Sequence, residues 1–423
     1  MSTAFPIVSW ANGTNIYEVN IRQYTKEGTL QAFIGHIPRL YDMGVEILWL
    51  MPVTPISEEN RQGTYGSYYA ASSYTAIDPA YGTVDDFIAL VQAAHSYNMK
   101  VIIDWVANHT GYDHVWTTRY PDWYRKNAEG KFIELYGWID VIDLNYEIPA
   151  MRIEMIASMK YWVREFDIDG FRCDMARTVP IDFWIEARSE CDALKCLFWL
   201  AECEVFSYHE VFDATYGWEC MRAIDRYKKD EIPFSDVPPI LSNYAQYPIG
   251  SRKLLFTSNH DENTYNGTEY EKYGMAAKAL AVFTCTWPGI PLIYSGQEQP
   301  NYRRLAFFEK DAIDWQGAPQ LHGFYKTLLQ LRKKNKAIQE SASVLLVTAN
   351  HPEVLVYLCR RQADKVLVMM NLSMEPASFS INHPAIAGRY HDLFTGEAKE
   401  MERKAGYTFE PGQYVVYHAT AQP

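Results

Sequence analysis

Asp167-Ile168-Asp169-Gly170-Phe171-Arg172-Cys173-Asp174 reads as a short buried strand that ends on charge. Side chains two apart on a strand point to the same face, so Arg172 and Asp174 share a site while Cys173 points away. Taken alone, the pair could simply close a strand end. Three further stretches share the design. Val101-Ile102-Ile103-Asp104-Trp105-Val106-Ala107-Asn108-His109 is a β-branched run that ends in Asp, Asn and His. Phe198-Trp199-Leu200-Ala201-Glu202 is an apolar run that stops on a carboxylate, and Phe256-Thr257-Ser258-Asn259-His260-Asp261 repeats the pattern. Apolar strands that all stop on titratable residues are expected where a parallel barrel opens its C-terminal face.

Working outward, Asn15–Arg22 alternates like a first strand, Thr29–Met43 has helical spacing, and Val45–Met51 reads as a second buried strand stopped by Pro52 and Pro55. The loop Ser57–Tyr74 is polar and rich in Gly and Tyr, as binding loops are. A helix follows Thr83, which stands in capping-box spacing with Asp86. Between Thr110 and Asn145 lies a Trp-, Tyr-, Asp- and Gly-rich segment too long for an ordinary βα loop. A helix over Pro149–Glu165 leads into the Asp174 strand; Val211–Tyr216, Lys253–Thr257 and Pro291–Gly296 read as strands six to eight.

Strand and helix alternate to about residue 336, which selects an eightfold (β/α)8 TIM barrel over an open sheet. The barrel is expected over 1–109 and 146–340, with a short insertion over 110–145. Beyond it, Val344–Thr348, Val354–Cys359, Val366–Asn371, Ala377–Ile381, Arg389–Phe394 and Tyr414–His418 are short strands joined by turn residues. They predict an antiparallel β-sandwich over 341–423, packed against the barrel.

The chain has 423 residues and a net charge of -13, which argues against nucleic acid and anionic membranes as partners. No apolar run is long enough to span a bilayer, and Met1-Ser2-Thr3-Ala4-Phe5-Pro6 lacks a basic segment followed by an apolar core. The seven cysteines are scattered rather than set in CxxC pairs, arguing against a disulfide framework or a zinc site. They read as reduced thiols of a cytoplasmic protein, the alternative being an exported protein whose signal peptide has been removed. A thiol or metal enzyme is rejected, since no His/Cys cluster has metal spacing.

Four short segments, DWVANH at 104–109, GFRCD at 170–174, AE at 201–202 and SNHD at 258–261, occur in the order and with the gaps of the α-amylase family, glycoside hydrolase family 13. The chain resembles that family over nearly its whole length. A looser match is Asp143-Leu144-Asn145-Tyr146. The resemblance implies that the insertion is a short domain B, and that Asp174 is the nucleophile, Glu202 the general acid and base, and Asp261 a transition-state binder. It implies sugar contacts from His109 and His260, a stacking ring at Tyr69, and an Arg172 held by Asp104 that keeps Asp174 ionised by lowering its pKa. Burial and the neighbouring carboxylates are expected to raise the pKa of Glu202. Ser67 stands where many members carry a His.

The implied activity is retaining hydrolysis of α-1,4-glucosidic bonds in starch, maltodextrins or cyclodextrins through a covalent glycosyl-enzyme. Retention needs the two carboxyl groups about 5–5.5 Å apart. A transglycosylase would use the same residues, while a non-catalytic carbohydrate-binding member would ordinarily lack some of the three carboxylates. No cofactor is expected to be required. A family calcium site would use Asn108, but the position four after Asp174 is Thr178 and the insertion is short. Chain-length preference, endo or exo action and oligomeric state are open at this point.

Overall fold

The computed structural model describes residues 5–243, 247, 250–339 and 342–420. The start at 1–4 and the expected domain boundary at 340/341 lie outside the described residues. The chain opens with β1 (Ile16–Val19), β2 (Ile47–Leu50) and β3 (Lys100–Trp105). A two-stranded antiparallel excursion of β4 (His109–Gly111) and β5 (Val141–Asp143) interrupts the alternation. Then come β6 (Gly170–Cys173), β7 (Phe198–Ala201), β8 (Ala214–Tyr216), β9 (Arg252–Leu255) and β10 (Ile290–Tyr294). The parallel strands close into a barrel in the order β1-β10-β9-β8-β7-β6-β3-β2.

Strand alternation builds two cores and one site. Ile16, Ile47, Trp49, Ile102, Phe198, Leu200, Ala214, Leu254, Ile290 and Leu292 fill the barrel interior. Their neighbours Tyr17, Leu48, Val101, Ile103, Phe171 and Trp199 face the surrounding helices. Because the side-chain period is two, Glu18 follows Ile16, Asp104 follows Ile102, Arg172 and Asp174 follow Gly170, and Glu202 follows Leu200 on the interior face. The interior is thus apolar below and charged at its C-terminal end. Gly170 marks how tightly β6 meets β7: a Cβ there would lie 2.1 Å from the Phe198 carbonyl oxygen. At the opposite end of β6, Asp169 accepts from the Val101 N–H (2.9 Å) and pairs with Lys100 and His95.

Several expected elements shift. The first strand ends at Val19, because Asn20 caps a short helix, Ile21–Tyr24, by accepting from the Gln23 N–H. The helical spacing of 29–43 resolves into Leu30–Ile34 and Ile37–Met43, with Pro38 in the first turn of the second. Proline lacks the N–H and the space an interior helical position demands. The sixth strand begins at Ala214 rather than Val211, since Phe206–Glu210 is a 3-10 turn. The helix Val84–Ser96 carries the expected capping box, with Thr83 and Asp86 bonding each other's N–H.

After the helix His322–Lys334, the strands β11 (Ser343–Leu346), β12 (Val354–Arg361), β13 (Asp364–Asn371), β14 (Ala377–Asn382), β15 (Gly388–Asp392), β16 (Ala398–Met401), β17 (Lys404–Phe409) and β18 (Tyr414–Ala419) follow. They form a six-stranded sheet, β11-β12-β13-β18-β15-β16, and the pair β14-β17, around a separate apolar core that includes Val356, Leu367, Phe379, Tyr390 and Phe409. The sequence reading missed β16, exposed apart from Met401, and β17, whose Ala405, Tyr407 and Phe409 face the core between exposed neighbours. Thr286 bonds Tyr357 (2.6 Å) and Tyr227 bonds Glu353 (2.6 Å), fixing this unit to the barrel.

Candidate active site

Arg172 is fully buried at the end of β6 and organises the charged end of the barrel. Its Nη1 donates to Asp104 Oδ1 (2.8 Å) and to Asp174 Oδ1 (2.9 Å), Nη2 meets Glu202 Oε2 at 2.9 Å, and Nε donates to the Tyr216 hydroxyl (3.1 Å). One planar guanidinium therefore fixes three carboxylates from three adjacent strands, which its rigid fork suits better than an ammonium would. Glu202 Oε2 also accepts from the Met175 N–H at 2.9 Å. Met175 holds that N–H in place from a left-handed backbone conformation, φ +42°, costly for a residue with a Cβ and typical of functional sites. Glu202 Oε1 has no protein partner among the described residues.

The electrostatics separate the carboxylates. Burial pushes Asp174 up to about 6 and Glu202 up to about 7, with Arg172 opposing in both cases and neighbouring carboxylates adding to the rise. The expectation that Arg172 leaves Asp174 with a lowered pKa is corrected: the guanidinium does pull downward, but the loss of water outweighs it. Burial likewise raises Asp104 to about 6 against the pull of Arg172. Asp261 differs, because although burial opposes, the His260 imidazolium holds its carboxyl below the usual range.

A second chain of contacts crosses the barrel mouth. His260 Nδ1 bonds the carboxylate of Glu18 at the end of β1, and Nε2 lies 2.8 Å from the Tyr69 hydroxyl and 3.3 Å from Asp261 Oδ2. Tyr69 in turn donates to Asp104 Oδ2 (3.0 Å). Burial disfavours the imidazolium, but Asp261 and Glu18 raise His260 well above its ordinary value and keep it cationic. His109 contrasts with it: burial alone pushes it down to about 4, so it is neutral.

Tyr69, His109, Asp174, Glu202, His260 and Asp261 line one cavity of about 550 Å³, while Asp104 and Arg172 sit behind its wall. All eight candidates thus meet, six on the surface of the cavity and two supporting them. Ser67 also lines it, and its Oγ accepts the Tyr69 N–H (3.2 Å). Tyr69 stacks on His260 with ring centroids 5.4 Å apart.

The sequence reading passed over several residues. Glu18 is fully buried, and its signal was an acid two residues after Ile16, the spacing that exposed Asp104. Trp138 and Asp140 come from the insertion, while Tyr265, Phe307 and Phe308 arrive from distant loops with no local pattern to announce them. Asp140 Oδ2 is buried and has no hydrogen-bond partner among the described residues.

Several polar groups in and around the insertion are engaged with protein partners. Asn108 Nδ2 donates to Asp143 Oδ1 (3.2 Å), Asp113 caps the N–H groups of Glu58 and Glu59, Asp122 pairs with Lys126, and Glu134 accepts from Gly137 and Trp138. Thr178 turns its hydroxyl to the Met175 carbonyl. Among the described residues no group of three or more His, Cys, Asp or Glu side chains is arranged to hold a metal ion.

A family model described as "Alpha amylase, catalytic domain" matches residues 9–129 and 118–195, a span that contains β1 to β6, the Arg172–Asp174 pair and the insertion. Over that span the chain resembles the α-amylase family. It is 26% identical to Alpha-amylase 3 of Dictyoglomus thermophilum, over 88% of this chain and 87% of that protein. It is 25% identical to Alpha-amylase MalA of Haloarcula japonica, over 88% of this chain but only 57% of that longer protein. Among solved structures, a maltogenic α-amylase, AmyB, from Thermotoga neapolitana superposes with a TM-score of 0.88 at 28% identity, covering 96% of this chain and 98% of that one. The barrel, the excursion after β3 and the C-terminal antiparallel sheets are therefore an α-amylase-family architecture.

Proposed function

We propose that the protein is a retaining glycoside hydrolase that cleaves α-1,4-glucosidic bonds of starch, maltodextrins or cyclodextrins. The observation that carries this is the single Arg172 guanidinium holding Asp174 and Glu202 together at the cavity wall, with pKa values near 6 and 7. Near pH 6.5 one carboxyl is largely ionised and the other largely protonated, the division of labour that glycoside cleavage needs.

In the first step a carboxylate oxygen of Asp174 attacks the anomeric carbon. The bond to the leaving sugar breaks, and Glu202 delivers its proton to the departing oxygen. The Met175 N–H and Arg172 occupy Oε2, so Oε1 is the atom that carries this proton. In the second step Glu202 takes a proton from water, whose oxygen displaces Asp174 from the same carbon. Asp261, kept ionised by His260, accepts hydroxyl hydrogen bonds that strengthen as positive charge grows on the ring. The His260 cation, neutral His109 and Tyr69 complete the sugar contacts.

Two displacements at one carbon restore its configuration, so the first product is the α-anomer. Proton NMR during early turnover of maltoheptaose reads it directly, and a β-anomer appearing first would overturn the nucleophile assignment.

The reading needs no cofactor and no calcium. Dialysis against a chelator is expected to leave both maltodextrin turnover and the melting temperature unchanged. Loss of both that added calcium restores would sink this part of the reading. Among the described residues no helix is long and apolar enough to cross a membrane. The seven free cysteines, six of them buried, favour a reducing compartment, and we place the protein in the cytoplasm.

A further inference from the structure

A second cavity, of about 710 Å³, lies on the far side of the loop that carries Tyr69. The loop alternates its allegiance: Gln62, Ser67 and Tyr69 line the catalytic cavity, while Arg61, Tyr65 and Ser72 line the second. The segment 307–310 does the same, with Phe307 and Phe308 on one side and Lys310 on the other. Arg22 ties both strips together. Its Nη1 donates to the carbonyls of Gly66 (3.0 Å) and Phe307 (3.4 Å), Nη2 donates to Tyr65 (3.3 Å), and the guanidinium lies 3.9 Å from the Tyr68 ring centre.

The lining of this cleft is built to bind. Arg22, Arg61 and Lys310 are balanced by Glu58, Asp78 and Asp113, so the walls offer many hydrogen bonds with no net charge, which disfavours an ionic ligand. The head groups are held by backbone contacts. Asp78 Oδ1 accepts from Ala80 (2.8 Å), Asp113 Oδ2 accepts from Glu58 (2.8 Å), and Lys310 donates to the Glu27 carbonyl (2.6 Å). Among the described residues the second oxygen of each carboxylate has no protein partner, and Lys310 keeps two further N–H groups. The Tyr81 ring lies in the same lining, its hydroxyl buried beside the Arg22 guanidinium. Tyr65, 41% exposed, adds an aromatic surface. Fixed donors and acceptors, exposed aromatic surface and zero net charge together describe a receptor for a neutral polyhydroxylated molecule.

From this we infer that the cleft behind the Tyr69 loop is a second carbohydrate site, taking a short α-linked glucose oligomer of the size of maltose. The identity of the sugar rests on the hydrolase reading; the cleft, its neutrality and its shared wall do not. A sugar here steadies the Tyr65–Gly66 turn, and with it the Ser67 and Tyr69 positions on the catalytic side.

The test is calorimetric titration of maltose into Asp174→Ala protein, which cannot turn the sugar over. Two maltose molecules per chain are expected. Adding Tyr65→Ala or Lys310→Met weakens one of them at least tenfold and leaves the other within about twofold, while Tyr69→Ala weakens only the other. Both variants carried in the otherwise wild-type enzyme retain maltodextrin turnover, and melting temperatures close to the parent's confirm that they fold. A single maltose that Tyr69→Ala abolishes, or a second one indifferent to both Tyr65→Ala and Lys310→Met, overturns the second site, as does no maltose binding at all. Failure of the wild-type enzyme to cleave maltodextrin is a separate result, which counts against the hydrolase reading.

Discussion

Asp174→Ala protein is expected to fold normally and to lose at least about a thousandfold in kcat on maltodextrin, because removal of a covalent nucleophile leaves only binding and acid catalysis. Folding survives for a specific reason. Arg172, which would otherwise be left as a buried unpaired charge, keeps Asp104 at 2.8 Å and Glu202 at 2.9 Å. The ionised Asp174 is itself a burden on the fold. A carboxyl whose folded pKa is raised from near 3.8 to about 6 binds its proton more tightly when folded, so it subtracts stability as pH rises through that interval. By pH 7 the full difference, about two pKa units or roughly 3 kcal/mol, has been lost. Alanine relieves this and forfeits one arm of the Arg172 pairing, two effects of opposite sign and similar size. The melting temperature at pH 7 should therefore move by only a few degrees, and the deficit relative to wild type should grow as pH is lowered toward 4. Turnover above about one per cent of wild type in protein free of contaminating enzyme would remove Asp174 from the nucleophile's role.

Much of this arrangement was legible because a parallel barrel buries its strands on both faces and exposes polar groups only at their C-terminal ends. Asp104, Arg172, Asp174 and Glu202 could be found by reading each apolar run to its last residue. Glu18 obeys the same rule yet escaped, because the apolar Val19 follows it and the run does not stop on the acid. Phe307, Phe308, Tyr265 and Trp138 were invisible for a different reason. They reach the cavity through loops whose course depends on the whole barrel, and a lone aromatic in a loop carries no periodicity. The edge strand β16 buries only Met401 and so lacks the continuous apolar run that revealed β12 and β13, while β17 alternates Ala405, Tyr407 and Phe409 with exposed residues but buries only Phe409 fully. The balance of forces on Asp174 was also beyond the sequence. The sign of each contribution follows from residue type, but whether burial or Arg172 prevails depends on how completely water is excluded.

Glu202→Gln tests the other half of the chemistry and should separate acid catalysis from everything else the residue does. The amide oxygen still accepts from Met175 and Arg172, so the local geometry is kept, but no proton can be given or taken. General acid–base catalysis is worth about 10²–10⁴ in rate, and the full loss is expected on maltodextrin, whose sugar leaving group needs protonation. On a 4-nitrophenyl α-maltoside the phenolate departs without help, so formation of the glycosyl-enzyme should be far less impaired than its hydrolysis, and a burst of nitrophenolate should precede slow turnover. The pH profile adds an independent signature. In the wild-type enzyme kcat/KM falls below about pH 6 as Asp174 takes up a proton, and above about pH 7 as Glu202 loses one. The two limbs are apparent values of a pair that shares Arg172 rather than properties of either residue alone. Glu202→Gln should abolish the alkaline limb and leave the acidic limb near pH 6, because Glu202 is already protonated where Asp174 titrates. A variant that retained the alkaline limb would place the acid elsewhere, and the next carboxyl to examine would be Asp140, which lines the same cavity with one oxygen buried and no hydrogen-bond partner for it among the described residues.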